Sequence, residues 1–220
     1  SKIAYLFWLL TGVTLGLLHF YQTKEIDLFR EFKNAATSTT AVILYLLVVT
    51  AMVFSPMLSN YFVGDDFTWF RWAADCGSGS NCLLRYFTET DGFFYRPGTK
   101  VYFFLMYSIF WLNQTVYHLV SLSLHFIVAV LVFLLAKKVL RDSVFPILAS
   151  FLFLILSGYS ETVFWTAATG HLFNAMFILL SLLLFITWEE KKKTIYFVGC
   201  LLSIIFGLLF HELGVVAPLL

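Results

Sequence analysis

Long apolar stretches separated by short polar connections run through this sequence. A helix needs about 20 apolar residues to cross the hydrocarbon core of a bilayer, and several of these stretches approach or exceed that length. They occupy residues 3–21, 41–63, 116–136, 144–159, 162–188 and 194–210, and a further one begins at residue 214. The pattern predicts an all-α fold, a polytopic bundle of transmembrane helices.

One apolar segment, residues 100–112, is too short to cross a bilayer. Polar or helix-breaking residues mark both of its ends, at positions 96–98 and 113–114. Segments of this kind lie at the membrane interface or re-enter the membrane from one side. We therefore expect the loop over residues 64–96, together with this segment, to carry juxtamembrane helices.

The composition supports a membrane protein and excludes one class of partner. The chain has 220 residues, of which 60% are hydrophobic and 12% are charged, whereas soluble domains are about a quarter charged. Aromatic residues make up 20% of the chain and suit lipid-facing and interfacial positions. The net charge of +1 gives no electrostatic case for nucleic acid as a partner. The apolar composition makes membrane lipids the expected surroundings.

Lysine and arginine predict the orientation, because connections rich in these residues stay in the cytoplasm. Alternate connections hold most of the 14 basic residues. They are Lys24, Arg30, Lys33, Lys137, Lys138, Arg141, Lys191, Lys192 and Lys193. The loop over residues 64–96 and the later turns on its side are then expected in the periplasm, the cell exterior or the lumen. The expected membrane is a bacterial inner or cell membrane, or the endoplasmic reticulum of a eukaryote.

We expect two regions along the chain. Residues 1–36 would form an extra membrane helix and a cytoplasmic loop, whose balanced charges specify its orientation weakly. Residues 37–220 would form the main transmembrane bundle. The chain stops at Leu220 inside an apolar run, so we expect it to be part of a longer chain.

Two of the three cysteines bracket a short flexible loop. Cys76 and Cys82 enclose the sequence Gly-Ser-Gly-Ser-Asn, so a disulfide is sterically easy, and it is chemically permitted if the loop lies outside the cytoplasm. Two free thiols are the alternative, and a metal site is disfavoured because further ligands are not close in sequence. Cys200 lies in an apolar run and is expected to be a small buried residue.

The pair Asp65-Asp66 directly follows an apolar stretch on the predicted outer side. Adjacent carboxylates repel each other and apolar neighbours disfavour their charge, so both effects favour proton acceptance. The residues alone support equally well a second interpretation, in which one aspartate caps the following helix. Gly64 permits a tight turn before the pair.

Two later turns on the same side also carry ionisable residues. Glu161 lies at the first turn, His171 follows about three helical turns later, and His211-Glu212 lies at the second. A charge at membrane depth costs about 2.5–3.5 kcal/mol, so ionisable residues there need a reason. A helix bundle would bring these turns together around one cavity, and we therefore expect one functional site there. Separate helix caps and snorkelling groups are the alternative. Arg96 adds a guanidinium suited to bidentate phosphate binding or to contact with lipid head groups.

His118 and His125 are seven residues apart, so they share one face of a predicted helix. They could be ligands, but we favour hydrogen bonds to neighbouring helices. No glycine-rich phosphate loop, paired CxxC set or HExxH motif occurs in the sequence.

In this order the motifs resemble the GT-C glycosyltransferases of the protein O-mannosyltransferase and aminoarabinose-transferase type. The resemblance covers residues 41–220. The matching motifs are an acidic pair after the first helix (Asp65-Asp66), a Tyr-Arg-Pro sequence (Tyr95-Arg96-Pro97), a histidine-rich span start (His118 and His125), a glutamate-centred turn (Glu161 to His171) and a late basic-acidic pair (His211-Glu212).

The resemblance implies sugar transfer from a polyprenyl-phosphate-linked donor, with no certain cofactor. Asp65, supported by Asp66, would accept the proton of an acceptor hydroxyl, and Glu161 would orient Asp65 or the acceptor. The residues that would bind substrate are Arg96, His171, His211 and Glu212. In some relatives the acidic pair instead holds a divalent metal.

The sequence departs from the family pattern in two ways, and two other functions remain as alternatives. The extra helix before residue 37 is not expected, and His211 replaces a stronger cation. The chain could instead be a non-catalytic membrane subunit that inherited the scaffold and binds other membrane subunits. It could also be a transporter of a lipid-linked substrate that uses the same outer cavity.

Overall fold

The computed structural model describes residues 37–76, 81–88, 95–140, 144–156 and 160–219, and within these ranges every regular element is helical and no strand occurs. The all-α expectation is confirmed for this part of the chain, whereas the predicted span over residues 3–21 and the region 1–36 lie outside it. The α-helices are α1 (Thr39–Phe54), α2 (Asp66–Asp75), α3 (Cys82–Thr88), α4 (Pro97–Phe110), α5 (Gln114–Leu140), α6 (Phe145–Ile155), α7 (Ser160–Phe164), α8 (Thr169–Lys191) and α9 (Thr194–Phe210). The 3₁₀ segments are Ser55–Ser59, Thr166–Ala168 and Glu212–Leu219.

In the described part of the chain, three helices are long and apolar enough to cross a membrane, some of them counted with a 3₁₀ extension: Thr39–Ser59, Gln114–Leu140 and Thr166–Lys191. The helices α6 and α9 are apolar but shorter, with 11 and 17 residues. The apolar stretch over residues 144–159 therefore forms a shorter helix than predicted, since the backbone is already extended at Leu156. These lengths indicate a membrane protein.

The helix termini follow from local sequence. The Ser38 side chain accepts a hydrogen bond from the Ala41 amide and so caps the start of α1. Pro97 and Pro146 lie in the first turns of α4 and α6, where a missing amide proton costs nothing. The helix α8 ends at Lys191 and is followed by Lys192, whose φ of 52° is left-handed.

The long helices pack through apolar side chains and small serines. In the core formed by α1, α5 and α6, Leu46, Phe133 and Leu154 are buried, while α8 packs against both α5 and α9. Ser150 and Ser181 are also buried, and each hydroxyl donates to a carbonyl of its own helix. Small residues of this kind let helix backbones approach each other closely.

The two histidines of α5 bond to neighbouring elements, as predicted. The Nε2 atom of His118 lies 3.1 Å from the carbonyl oxygen of Asn60, just after the α1 extension. The Nε2 atom of His125 lies 3.1 Å from the carbonyl oxygen of Leu154 in the last turn of α6. Both imidazoles therefore satisfy carbonyls that a helix end leaves without an internal partner, and the preference for interhelical hydrogen bonds is confirmed.

Short helices cover one end of the long ones. The predicted interfacial segment forms α4, against which α2 packs through aromatic rings. Trp69 stacks on Phe103 with ring centroids 5.3 Å apart, and Phe70 meets Tyr117 edge-on at 5.3 Å. These contacts fix α2, and with it the residues that precede it.

The two ends of the packed helices carry different groups. At one end, where α5 and α8 finish, the Lys137 ammonium donates to Thr39 and Lys138 pairs with Glu190 at 2.5 Å. We call it the basic end and define it by Lys137, Lys138 and residues 189–193. At the other end α1 and α9 finish and α5 and α8 begin; we call this the site end because the predicted site residues lie there.

Candidate functional site

A tight turn sets the two aspartates at the start of α2. Gly64 has a φ of 54°, a left-handed conformation that glycine adopts without strain. The Asp65 carbonyl accepts hydrogen bonds from the amides of Thr68 and Trp69, while its side chain makes no capping bond. Asp65 is exposed and Asp66 is buried, so adjacent carboxylates meet different surroundings.

Asp66 joins α2 to the segment that precedes α8. Its Oδ2 atom accepts a hydrogen bond from the Val63 amide at 2.9 Å, and its Oδ1 atom accepts one from the Ala167 amide at 2.5 Å. Burial raises the pKa of Asp66, the two amides oppose this shift, and the charge of Asp65 adds to it. Both carboxylate oxygens hold the fold together, which indicates a structural role.

An open groove lies beside the turn. Its volume is about 680 Å³. It is lined by Ser59, Asn60, Tyr61, Val63, Gly64, Glu161, Phe164 and Trp165. The Trp165 indole donates to the Val63 carbonyl at 3.3 Å and closes one side. Glu161 is an exposed carboxylate of the lining, and Asp65 directly follows the lining residue Gly64.

Arg96 and Glu212 form a bidentate ion pair near the starts of α4 and the last 3₁₀ segment. The Arg96 Nε and Nη2 atoms donate to the two Glu212 oxygens at 2.8 and 2.6 Å. The hydrogen bonds from Arg96 lower the pKa of Glu212 to about 2. The Arg96 side chain is only 13% exposed, so the pair is partly withdrawn from water.

Two histidines complete this second group. The rings of His171 and His211 lie 4.1 Å apart, and the His211 Nδ1 atom lies 3.8 Å from Glu212. The Leu213 amide donates to that Nδ1 atom at 3.1 Å, so the neutral ring carries its proton on Nε2. Burial, then His171 and Arg96, lower the pKa of His211 to about 4, against the opposing charge of Glu212. His211 is neutral at pH 7.

Close backbone contacts bring the three elements of this group together. The Thr99 hydroxyl in the first turn of α4 donates to the Phe210 carbonyl at the end of α9, at 2.9 Å. A Cβ atom at Gly98 would lie 2.9 Å from the Leu209 carbonyl oxygen, and one at Gly170 would lie 2.7 Å from the Thr99 Oγ1 atom. Only glycine at both positions allows α4, α8 and α9 to meet this closely.

The structure therefore places the predicted site residues in two groups at the site end. Asp65, Asp66 and Glu161 belong to the groove and its turn, whereas Arg96 and the others form the ion-pair group. The second group is Arg96, His171, His211 and Glu212. The 3₁₀ segment Thr166–Ala168 connects the groups, because Ala167 binds Asp66 and α8 with His171 follows.

The acidic pair does not fit a divalent metal. Such ions prefer several carboxylate and carbonyl oxygens, but both Asp66 oxygens accept backbone hydrogen bonds. No group of three or more His, Cys, Asp or Glu side chains that could hold a metal occurs in the part of the chain that the structure describes.

Sequence reasoning missed two partners of the site. The Ala167 amide, which holds Asp66, carries no signal in its residue type. Thr99 has one, since it is a polar residue in the first turn of a mostly apolar helix. The disulfide that the sequence permits was not missed. It joins Cys76 to Cys82, with Cα atoms 5.4 Å apart, and links the end of α2 to the start of α3.

In comparisons with known proteins, no protein-family model, no curated protein and no solved structure matches this chain. The class is therefore set by the structure alone. It is a helical protein in which three described helices are able to cross a membrane.

Proposed function

We propose that this chain is a multi-pass membrane protein that transfers a sugar from a polyprenyl-phosphate-linked donor to an acceptor hydroxyl at its site end. The observation that supports this most is the exposed Glu161 in an open groove whose lining also includes Gly64, the residue directly before the exposed Asp65. Carboxylates at the mouth of an open groove can reach an acceptor hydroxyl that enters from water. Convergent ionisable groups beside membrane helices are typical of functional sites.

In the proposed reaction Asp65 accepts the proton of the acceptor hydroxyl as a general base. The hydroxyl oxygen forms a bond to the anomeric carbon of the sugar, and the bond from that carbon to the phosphate oxygen breaks. The electron pair leaves with the lipid phosphate. Glu161 orients Asp65 or the acceptor, and Asp66 holds the turn through the Val63 and Ala167 amides.

The ion-pair group supplies donors for the leaving phosphate in this proposal. With its Nδ1 atom engaged by Leu213, His211 carries a proton on Nε2 that can be donated. Arg96 already binds both oxygens of Glu212, so a phosphate must share the guanidinium with this carboxylate. When the donor binds, Arg96 either keeps its ion pair with Glu212 or exchanges it for the phosphate.

The proposed topology places the site end outside. The basic residues at the basic end, Lys137, Lys138 and residues 191–193, support a cytoplasmic location for that end. The site end then faces the periplasm, the cell exterior or the lumen. A disulfide in the α2–α3 connection fits such an oxidising compartment.

The test is transfer of a radiolabelled sugar by the protein in lipid nanodiscs, with hexose and pentose polyprenyl-phosphate donors and acceptors from host-cell membranes. Asp65→Asn is expected to lower the rate by at least about 100-fold, because it removes the general base. Glu161→Gln gives a smaller loss. Glu189→Gln, an acid at the basic end, is the matched control and leaves the rate unchanged.

A second function, that of a non-catalytic membrane subunit, is favoured by the ion pair between Arg96 and Glu212, since it neutralises a cation of the site. The same assay separates the two. Wild-type protein that transfers no sugar from any donor, or Asp65→Asn protein as active as wild type, would contradict catalysis and support the scaffold.

A further inference from the structure

A second pocket lies between α2, α3 and the start of α4, and it shares no lining residue with the groove. Its volume is about 340 Å³. It is lined by Arg71, Trp72, Asp75, Cys76, Cys82, Arg85, Tyr86 and Lys100. The residues of the ion-pair group are also absent from this lining, so the pocket is a separate feature of the site end.

Lys100 is the central observation, because it is a buried cation for which the described part of the chain holds no carboxylate partner. Its residue is 4% exposed, and none of the carboxylates that the structure describes lies within ion-pair distance of it. The Lys100 ammonium lies 5.1 Å from the Trp72 ring centroid and 5.7 Å from that of Tyr86. Two aromatic faces stabilise a cation in part, but a buried ammonium is normally paired with an anion.

Two of the three other charged residues of the lining carry the same sign as Lys100. Arg71 and Arg85 line the pocket together with Lys100, and Asp75 is its sole acidic residue in the described part of the chain. Asp75 lies 3.6 Å from Arg71, and both side chains are exposed. The described lining therefore holds more cations than acids, and guanidinium groups match the geometry of phosphate oxygens.

Two links hold the pocket walls in place. The disulfide joins Cys76 in the α2 wall to Cys82 in the α3 wall. The Tyr86 hydroxyl donates to the Trp72 carbonyl at 3.1 Å across the same gap. A preformed site loses less conformational entropy when a ligand binds.

We propose that this pocket binds the phosphate group of an anionic ligand, with Lys100 and Arg71 as its principal cations. The phosphate belongs either to a lipid head group or to a soluble phosphate compound. This proposal does not depend on sugar transfer at the groove, and either one can fail without the other.

The experiment measures how two probes shift the unfolding temperature of the protein in a neutral detergent, because a ligand that binds only the folded state stabilises it. The probes are inorganic phosphate and mixed micelles that contain phosphatidic acid, with phosphatidylcholine micelles as the uncharged reference. A shift with phosphate identifies a soluble source. A shift with phosphatidic acid alone identifies a lipid head group. No shift with either probe overturns the proposal.

Variants assign the shift to the pocket. Lys100→Met is expected to raise the apparent Kd of the effective probe by about tenfold or more, since it removes a charge-assisted contact. Lys191→Met is the matched control, because Lys191 also lies over a tyrosine ring, 5.4 Å from Tyr196, but at the basic end. It leaves the Kd unchanged.

Two exposed positions keep the test decisive if Lys100→Met does not fold. Arg71→Gln weakens probe binding, whereas Asp75→Asn strengthens it several-fold, because it removes the negative charge of the lining and the partner of Arg71. A purely structural role of Lys100 predicts no change in either variant. Equal binding by wild type, Arg71→Gln and Asp75→Asn therefore contradicts the proposal.

Discussion

At the scale of single residues, Asp65 and Asp66 show how one turn puts two identical side chains in different surroundings. The left-handed Gly64 lets α2 begin so that Asp66 meets the amides of Val63 and Ala167. A proton on Asp66 would weaken a link between two elements, because a buried amide without an acceptor costs about 1–3 kcal/mol. Asp65 is exposed, and its side chain makes no capping hydrogen bond at the start of α2.

His211 makes the stability of the fold depend on pH. Its pKa is lowered to about 4 from an ordinary value of 6.5. As the pH falls from 6.5 towards 4, the unfolded chain binds this proton before the folded chain does, so the folded state loses stability. His211→Asn keeps an acceptor for the Leu213 amide and does not titrate, so we expect a flatter decline, with a difference on the order of 2 kcal/mol.

The measurement is the free energy of unfolding of both proteins in the same detergent between pH 7 and pH 5. Above pH 5 the carboxylate of Glu212, with its pKa near 2, stays charged in the folded state. His171 and Arg96 are present in both proteins, and their opposition to a proton on His211 is part of the effect that the comparison measures. Parallel curves for the two proteins would show that the His211 ring is not protected from protonation.

At the scale of helices, the site depends on how closely the ends of α4, α8 and α9 approach. Thr99 binds the Phe210 carbonyl, and Gly170 leaves space for the Thr99 hydroxyl. This contact sets the distance between Arg96 at the start of α4, His171 in α8 and His211 at the end of α9. Two glycines and one threonine thus position the ion-pair group without belonging to it.

Gly170→Ala is expected to destabilise the fold by about 1–3 kcal/mol, because the new methyl group would lie 2.7 Å from Thr99 Oγ1 and 3.2 Å from the Phe210 carbonyl. The measurement is thermal unfolding in detergent. The matched control is Gly199→Ala in α9, where the nearest atom is the flexible end of Leu184 at 3.2 Å. Alanine there is neutral or stabilising, since it favours a helix. Equal effects at both positions would contradict the close contact.

At the scale of the whole molecule, the two ends of the packed helices divide the ionisable residues. The basic end holds lysines with nearby glutamates, joined by the pairs Lys138–Glu190 and Lys192–Glu189. The site end holds the groove, the ion-pair group and the disulfide. In a membrane such a division makes the two ends of the protein chemically distinct, and the proposed sugar transfer takes place at the site end.

The proposed orientation predicts which end a membrane-impermeant thiol reagent reaches in intact cells. In a Cys200→Ala background, Tyr61→Cys at the site end is labelled from outside, because Tyr61 is 80% exposed. Lys192→Cys at the basic end is labelled only after the membrane is opened. Labelling of both positions from the same side would overturn the predicted topology.

The sequence by itself determined the helical class, the apolar lengths, the basic end and the residues at the opposite end. These features are local, since each depends on composition or spacing within one stretch of chain. The end of α6 at Ile155 and the cation-lined second pocket were not predicted. The length of an apolar stretch does not define the residue at which its helix ends. The sequence of a charged loop does not show which residues its side chains contact in the fold.

Only the tertiary structure decided which aspartate is buried and what Arg96 binds. Asp66 meets an amide 101 residues away, and Arg96 meets a carboxylate 116 residues away. Contacts at such separations arise when α2 packs against the 3₁₀ segment Thr166–Ala168 and when α4 packs against α9, and no local pattern encodes this packing. The chemical types of the site residues are therefore written in the sequence, while their partners, and hence their charges and roles, depend on how the helices pack.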